Sequence, residues 1–265
     1  MSELEKLDPN FSHTFYIYPF QNGVLSQEAI VKNVIHEAGV ILSVPGLLTR
    51  SLMTTPLDLK ALCVGYLFAE GIIHAMEDIA FINDERAGDC FIEIELTKEA
   101  KARAALFLSE QKILNPEQMI EQLLPLETPF EVRGDFVNQV VFDLHAKQRA
   151  YQSIGAIHAA GIFDQTGQCL GFAEDVSRHH ALNKTIGKAL LKGHDLKTCA
   201  LALSCRVSFE FILRAARLGI SLIATITSPT SLAIITAQRA QITLCGFVRD
   251  NGYQVYSNPS RIKIS

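Results

Sequence analysis

The sequence has no long apolar run and no internal repeat, and these absences exclude several classes of protein. Its longest apolar stretches, at 39–48 and 219–227, are too short to cross a bilayer, so no membrane partner is expected. The first six residues are acidic and lack an apolar run, which predicts no export signal and a cytoplasmic location. Apolar residues make up 48% of the 265 positions and charged residues 20%, enough for a packed core.

The six cysteines are scattered, and no C-x-x-C pair occurs among them. In a chain without an export signal, this spacing predicts reduced thiols rather than a disulfide framework. Cys63, Cys199 and Cys245 lie in apolar runs, where a cysteine behaves as a small hydrophobic residue. Because no short-spaced Cys/His pairs supply four soft ligands, we expect no structural zinc.

Charge is divided unevenly along the chain. Residues 1–130 contain 9 Lys+Arg against 19 Asp+Glu, a balance of −10, whereas residues 131–265 contain 15 against 9, a balance of +6. A basic C-terminal half favours an anionic ligand on that side. The excess is too small and too dispersed for a duplex-DNA footprint, so no nucleic acid polymer is expected as a partner.

The periodicity of residues 131–265 predicts a three-layer α/β/α domain. The predicted helices cover 135–148, 178–192, 208–218 and 230–239, and the predicted strands cover 156–163, 169–173, 198–204, 220–227 and 241–248. The strands at 198–204 and 220–227 are almost continuously apolar, as is typical of strands covered by helices on both faces. We expect Asp135, Ser208 and the Ser228-Pro229 pair to start their helices.

Residues 1–130 have a less regular pattern. The predicted strands cover 14–18, 40–44 and 91–96, and the predicted helices cover 55–69, 98–109 and 116–124. The helix at 55–69 has Thr55 as its expected cap and Pro56 at its expected first position.

Two polar turns follow neighbouring strands of the predicted sheet. Arg206 and Ser208 lie where one strand ends and a helix begins, and the Ser228–Thr230 turn repeats this arrangement after the next strand. Helix N-termini and an arginine attract anions, and ligands of parallel sheets bind at the carboxyl ends of strands. The turns therefore predict one anion-binding crevice. The alternative is that Ser208 and Ser228 only cap helices, and that Arg206 pairs with Glu210.

A third candidate region is rich in titratable groups and surrounds a predicted helix start. It contains Glu174, Asp175, Arg178, His179 and His180. These groups fit acid–base chemistry or a polar ligand, whereas the alternative is a cap by Asp175 or Ser177 with a surface ion pair. His158 precedes them in the same predicted hairpin, either as a site residue or as a hydrogen-bonded core histidine.

The last predicted strand runs into a polar turn. The turn region consists of Phe247, Val248, Arg249, Asp250, Asn251 and Gly252. Arg249 is suited to a phosphate and Asp250 to the edge of a base. An Asn-Gly hairpin turn explains the same residues structurally, and the two interpretations are compatible.

Zinc deaminase chemistry is excluded by its missing ligands. Those enzymes use H-x-E followed by P-C-x-x-C, whereas here His158 is followed by two alanines and no P-C-x-x-C occurs.

Together, these motifs resemble the formate dehydrogenase accessory protein family (FdhD) from about residue 35 to residue 261. The first markers are Thr55-Pro56-x-Asp58-Leu59-x-x-Leu62-x-x-Gly65-Tyr66-Leu67-x-x-Glu70-Gly71-Ile72-Ile73 and His158-Ala159. The others are Glu174-Asp175-Val176-x-Arg178-His179-x-Ala181-Leu182-x-Lys184, Ser204-x-Arg206-x-Ser208-x-Glu210, Ser228-Pro229-Thr230-x-Leu232-Ala233 and Leu244-x-Gly246-Phe247-x-Arg249.

The resemblance implies a fold and a role. The fold is a smaller α+β domain at 1–130 followed by a domain of cytidine-deaminase-like fold without zinc at 131–265. The role is formate dehydrogenase maturation: family members accept sulfur from a cysteine desulfurase as a persulfide and pass it to the molybdenum bis-guanine-dinucleotide cofactor. The implied partners are formate dehydrogenase, the desulfurase and a second copy in a homodimer.

The resemblance also implies where the cofactor binds. The family's cofactor-binding stretch falls on Phe247–Gly252, and the helix starts near Arg206 and Thr230 suit phosphates. The full predicted set is Phe247, Val248, Arg249, Asp250, Asn251, Gly252, Arg206, Ser208, Thr230, His158, Arg178 and His179.

One family feature is missing. The family carries C-G-x-C-G on a loop, whereas the corresponding stretch here, 106–113 within the region near 105–115, contains no cysteine. A serine cannot replace it, because sulfur relay needs a thiolate nucleophile. Cys205 is a speculative substitute, since Arg206 and a helix start would lower its pKa, although packing is the commoner role. Two hypotheses follow: a sulfurtransferase-type accessory protein, or a non-catalytic cofactor-binding member.

Overall fold

The computed structural model describes residues 11–110 and 115–263. The strands are β1 (Ser12–Ile17), β2 (Phe20–Gln21), β3 (Val24–Leu25), β4 (Ile30–Ile35), β5 (Ala38–Val44), β6 (Leu48–Thr54), β7 (Ile79–Asn83), β8 (Phe91–Leu96), β9 (Val132–Arg133), β10 (His158–Asp164), β11 (Cys169–Asp175), β12 (Cys199–Leu203), β13 (Leu222–Thr225), β14 (Thr243–Arg249), β15 (Gly252–Ser257) and β16 (Ile262–Lys263). The helices are α1 (Leu59–Ala69), α2 (Lys98–Glu110), α3 (Pro116–Glu121), α4 (Gly134–Lys147), α5 (Arg149–Ile154), α6 (Arg178–Leu191), α7 (Phe209–Arg217) and α8 (Ser231–Arg239).

A six-stranded mixed sheet organises the second half of the chain. Its strand order is β11-β10-β12-β13-β14-β15, with β12, β13 and β14 parallel and the outer pairs antiparallel. The parallel strands therefore end at one edge of the sheet, and the segments that follow Leu203 and Thr225 lie side by side there. This edge is where the sequence predicts an anion-binding crevice.

Helices cover both faces of this sheet, which confirms the predicted three layers. On one face α4 packs through Val137 and Val140 against Ala202 and Leu222. On the other face lie α6, α7 and α8. Alternation within β12 explains the continuous apolar run, because successive side chains enter opposite cores. In the described ranges, no helix is long and apolar enough to cross a membrane.

The first half contains a separate four-stranded sheet of order β6-β5-β8-β7, with α1 and α2 packed on its inner face. Two smaller antiparallel pairs, β1–β4 and β2–β3, precede it. The apolar core is continuous from Val40 in the first half to Leu244 in the second. The domain division at residue 130 therefore stays a prediction.

Three predicted helix starts are wrong by a few residues. Helix α1 begins at Leu59, with Asp58 in the left-handed conformation before it, because Thr55 is held by the other half of the chain. The residue before α4 is Arg133 rather than Asp135. Helix α8 is capped by Thr230, whose hydroxyl accepts from the N–H of Ala233, so the Ser228-Pro229 pair stays outside the helix.

Helices α1 and α6 touch backbone to backbone. A Cβ atom on Gly65 would lie 1.8 Å from the carbonyl oxygen of Asn183, and one on Gly187 would lie 1.9 Å from that of Ala61. No side chain can occupy these positions unless the helices separate. The two glycines therefore permit the contact that joins the halves of the chain.

A buried ion pair reinforces the same junction. Lys184 Nζ lies 2.5 Å from Asp175 Oδ2, and both side chains are fully buried. The Asp175 carboxylate also accepts from the Thr54 hydroxyl, while Lys184 donates to the Thr55 carbonyl at 2.7 Å. Burial lowers the pKa of Lys184, and the neighbouring carboxylate opposes that shift. This network bonds the end of β6 to the end of β11 and to the middle of α6.

The helix contact yields the first prediction. Gly187→Ala places a methyl group where the Ala61 backbone lies, so we expect the free energy of unfolding to fall by about 3 kcal/mol or more. Urea unfolding followed by circular dichroism measures this change. The control is Gly88→Ala, whose added Cβ meets nothing within 4 Å and should change stability by about 0.5 kcal/mol at most. Equal effects of the two changes would contradict the packing argument.

The ion pair yields the second prediction. Lys184→Met leaves a buried carboxylate without its partner, so we expect a loss of about 3 to 5 kcal/mol in urea unfolding. The matched control is Lys188→Met on the same helix, which removes the partly exposed pair with Asp58 and should cost about 1 kcal/mol or less. A Lys184 variant as stable as the control would show that the buried pair contributes nothing.

Candidate functional site

A cleft of about 440 Å³ lies at the carboxyl edge of the parallel strands, and we call it the arginine cleft. It is lined by His158, Arg178, Ser204, Cys205, Arg206, Ile226, Thr227, Ser228, Phe247 and Arg249. Three of these ten residues are arginines, and none is acidic. An arrangement of this kind attracts an anion with several negative oxygens.

The three arginines come from three different elements. Arg178 is the first residue of α6, Arg206 follows β12, and Arg249 ends β14. The Arg206 side chain is exposed, and it forms no ion pair with any residue in the described part of the chain. Glu210, its expected partner in the capping interpretation, lies instead 3.3 Å from the ring of His179. Arg206 is therefore available to a ligand.

Arg249 is held in place by backbone groups. Its Nη1 atom donates to the carbonyl oxygens of Ile226 at 2.6 Å and Val248 at 2.7 Å. Its own carbonyl oxygen accepts from Nδ2 of Asn138 on α4 at 2.7 Å. A guanidinium has five N–H donors, so these bonds position the group and leave donors for a ligand.

Phe247 presents an exposed ring at the same cleft. Its backbone φ of 51° is unusual for a bulky residue, and its side chain is 41% exposed. The register of β14 against β15 shifts between Gly246 and Arg249, and Phe247 N–H donates to Thr227 at 2.9 Å. This local bulge turns the ring out of the sheet, where a flat aromatic ligand can stack on it.

A second cavity, of about 350 Å³, adjoins the cleft and shares Ile226 and Arg249 with it; we call it the turn cavity. Its other lining residues are Val141, Phe142, His145, Val248, Asp250 and Asn251. The predicted hairpin between β14 and β15 is present and forms one wall, but its two turn residues are Asp250 and Asn251 rather than Asn251 and Gly252, because Gly252 already pairs with Arg249. Sequence reasoning missed Phe142 and His145. The sequence did offer one signal for a site role: neither residue belongs to the buried apolar stripe of α4, so neither is needed for the core.

His158 lines the cleft beside Arg178. Burial lowers the pKa of His158, and the positive charge of Arg178 lowers it further, against an opposing effect of Asp175. The ring is therefore neutral at pH 7 and offers one donor and one acceptor to a ligand.

Cys205 also lines the cleft, but its thiol is not activated. The expectation that its surroundings lower its pKa is wrong, because burial raises the pKa of Cys205 to about 11 and outweighs the opposing charge of Arg178. Burial likewise raises the pKa of Cys63, Cys199 and Cys245 to about 12. Thiols of this kind are poor nucleophiles at neutral pH.

His179 does not line either cavity, contrary to its predicted role. Its ring stacks on Phe211 of α7 at a centroid distance of 5.0 Å. Arg214 Nη1 lies 2.8 Å from its Nδ1 atom, and Glu210 lies 3.3 Å from its Nε2 atom. Burial, with the charge of Arg214, lowers the pKa of His179 to about 4. His179 therefore joins α6 to α7 as a neutral ring.

Three other predicted residues support the site without lining a cavity. Ser208 precedes α7 but makes no capping hydrogen bond with its side chain. Thr230 caps α8, and its N–H donates to Val207 at 3.0 Å. Gly252 opens β15 opposite Arg249. These residues shape the turns that carry the arginines.

The titratable cluster at 174–180 divides into separate roles. Glu174 accepts hydrogen bonds from the backbone N–H groups of Ala150 and Tyr151 at 3.0 and 2.9 Å. Its carboxylate therefore caps the N-terminus of α5. Burial raises the pKa of Glu174. Ser177 caps α6, as one alternative predicted. Only Arg178 of this cluster reaches the cleft.

The stretch predicted to correspond to the family's sulfur-carrier loop is in part helical. Residues 106–110 form the end of α2, whereas 111–113 lie outside the described residues. Within the described ranges, no group of three or more His, Cys, Asp or Glu residues is placed to hold a metal ion.

Comparison with known proteins supports the resemblance to the FdhD family. The model of the FdhD/NarQ family matches residues 35–263. The sulfur carrier protein FdhD of Cupriavidus necator is 30% identical over 97% of this chain and 92% of its own, and that of Xanthomonas axonopodis is 33% identical over 80% and 79%. The fold matches a crystal structure of a formate dehydrogenase accessory protein from Desulfotalea psychrophila with a TM-score of 0.77 at 22% identity, over 96% of this chain and 100% of that one. This chain belongs to the FdhD/NarQ family.

Proposed function

We propose that this protein is an accessory factor for formate dehydrogenase maturation and binds the molybdenum bis-guanine-dinucleotide cofactor as its cargo. The observation that carries the proposal is the arginine cleft, where Arg178, Arg206 and Arg249 meet an exposed aromatic ring and no lining residue is acidic. Phosphates and a flat base are the two chemical features that such a cleft recognises. A guanine dinucleotide contains both.

The arginine cleft and the turn cavity suit different parts of the ligand. Arg178 and Arg206 suit the phosphates, and Phe247 offers a stacking surface for guanine. Asp250 in the turn cavity supplies a carboxylate, which accepts hydrogen bonds from the N–H edge of guanine. We take the three-layer domain to be cytidine-deaminase-like without zinc, with nucleotide binding at its strand ends.

For sulfur transfer, the raised pKa of the Cys205 thiol in the cleft favours a member that holds the cofactor while another protein supplies the reactive thiol. A cysteine desulfurase presents sulfur as a persulfide, and an accepting thiolate would form a new persulfide as the desulfurase thiol leaves. Cys205 has the right place for this step, because it lines the cleft. It has the wrong reactivity, because burial keeps it protonated. In this proposal formate dehydrogenase receives the cofactor, and the accessory factor works as a homodimer.

The third prediction concerns ligand binding. We expect Arg206→Ala and Arg249→Ala each to weaken GDP binding about tenfold or more in titration calorimetry, because each removes charged hydrogen bonds to an anion. The control is Arg133→Ala, which removes an exposed arginine paired with Asp135 in the same basic half. Unchanged affinity in both cleft variants, or an equal loss in the control, would remove the site assignment.

The fourth prediction concerns sulfur. After incubation with a cysteine desulfurase and cysteine, we expect intact-mass measurement to find no persulfide, which would add about 32 Da, on Cys205. Cys205→Ala is the matched control for any adduct that does form. An adduct present in the original protein and absent from this variant would establish relay through Cys205 and overturn the non-catalytic assignment.

A further inference from the structure

The pairing of β12 with β13 ends before it reaches Arg206. The last paired residues are Leu203 and Thr225, and Arg206 lies beyond them in the turn that follows β12. Arg249 reaches the cleft from β14, on the other side of β13. The distance between the Arg206 and Arg249 side chains therefore depends on what joins the segments past the ends of these strands.

One buried hydroxyl bridges the turns after β12 and β13. The Thr225 side chain is fully buried, and its Oγ1 atom donates to the carbonyl oxygen of Cys205 at 2.8 Å. The same atom accepts from the backbone N–H of Thr227 at 3.1 Å. Because a hydroxyl has one proton, Thr227 is the donor in the 3.1 Å contact between the two hydroxyls. A single side chain thus bonds the residue before Arg206 to the turn after its own strand.

Arg206 lies between two anchored carbonyl groups. The carbonyl of Cys205 accepts from the Thr225 hydroxyl, and that of Val207 accepts from the N–H of Thr230 at 3.0 Å. The second bond joins two backbone groups, so it does not depend on the identity of either side chain. The first bond depends on the hydroxyl of Thr225, so a substitution can remove it.

The segment that Thr225 bonds also holds the other side of the cleft. The carbonyl of Thr227 accepts from the N–H of Phe247 at 2.9 Å, and the carbonyl of Ile226 accepts from Nη1 of Arg249 at 2.6 Å. The bridge therefore connects the Arg206 turn with the stacking ring and with Arg249. A ligand whose phosphates contact both arginines binds more tightly when their spacing is set in advance, because ordering the groups on binding costs affinity.

We propose that Thr225 is a positioning residue, whose hydroxyl sets the distance between Arg206 and Arg249 and thereby the affinity for phosphates. Thr225 is not among the described residues that line either cavity, so it acts through the residues it bonds. The inference rests on the proposed function, since it takes the arginine cleft to be the nucleotide site.

A threonine at the opposite edge of the same sheet shows the alternative, a purely structural role. Thr243 is fully buried at the start of β14, and its hydroxyl donates to the carbonyl oxygen of Asn258 at 2.6 Å. It makes the same kind of bond as Thr225, far from the cleft. Thr243 therefore provides a matched control.

The test compares variants of these two threonines by GDP titration calorimetry. Thr225→Val keeps the branched shape and removes the hydroxyl, so we expect GDP binding to weaken about fivefold to tenfold. Thr225→Ser keeps the hydroxyl and should stay within about twofold of the original protein. Thr243→Val should lower stability to urea and leave GDP affinity unchanged. A Thr225→Val protein that binds GDP as tightly as the original, or an equal loss in the control, would overturn the proposal.

A double-mutant cycle separates positioning from a general weakening of the fold. If Thr225 acts through Arg206, then Thr225→Val should cost at most about twofold in GDP affinity when Arg206 is already alanine. Equal losses with and without Arg206 would contradict positioning, because independent effects add.

Alkylation of Cys205 reports on the turn without a ligand. Iodoacetamide should label Cys205 at least about threefold faster in Thr225→Val, measured peptide by peptide by mass spectrometry, because the released turn exposes a thiol that is now buried. Cys199, buried at the opposite edge of the sheet, is the internal reference for global unfolding. Unchanged labelling of Cys205 would show that the hydroxyl does not hold the turn and would overturn the proposal. An original protein that binds no GDP would contradict the proposed function instead, and the labelling rates would then decide alone whether Thr225 holds the turn.

Discussion

The contact between α1 and α6 determines the position of the candidate site. The helices meet without side chains between them at Gly65 and Gly187, and the fully buried pair of Asp175 and Lys184 completes the junction. Buried charges are tolerated only when paired and hydrogen-bonded, so this geometry has little freedom. Because α6 begins at Arg178, the junction also determines where one of the three cleft arginines lies. The first half of the chain thus positions a site whose lining comes entirely from the second half.

The same chain uses its charges in two opposite ways. Lys184 is fully buried and paired with Asp175, so its positive charge is balanced inside the protein. Arg178, Arg206 and Arg249 converge on a cleft with no acidic lining residue, so their positive potential extends into the cavity. The basic balance of residues 131–265 reflects this second use. Net charge alone did not distinguish the two, because pairing is visible only in three dimensions.

The sequence was sufficient for elements whose pattern is local and insufficient for contacts between distant residues. The apolar runs of β12 and β13 predicted a sheet covered on both faces, and parallel strands brought Arg206 and Arg249 to one edge as expected. Thr55 was misassigned because its partners lie about 120 residues away. His179 was misplaced because neighbouring residues on a helix point about 100° apart, so Arg178 faces the cleft while His179 faces α7.

Cys205 shows why position alone does not establish chemistry. An adjacent arginine and a helix start both favour a thiolate, and a sequence displays only those two features. Desolvation acts in the opposite direction and is the larger effect here, with a pKa of about 11. At pH 7 the thiolate fraction is then on the order of one in ten thousand. The cleft can therefore hold an anionic cofactor next to a sulfur atom that does not react, and binding the cofactor becomes separable from supplying its sulfur.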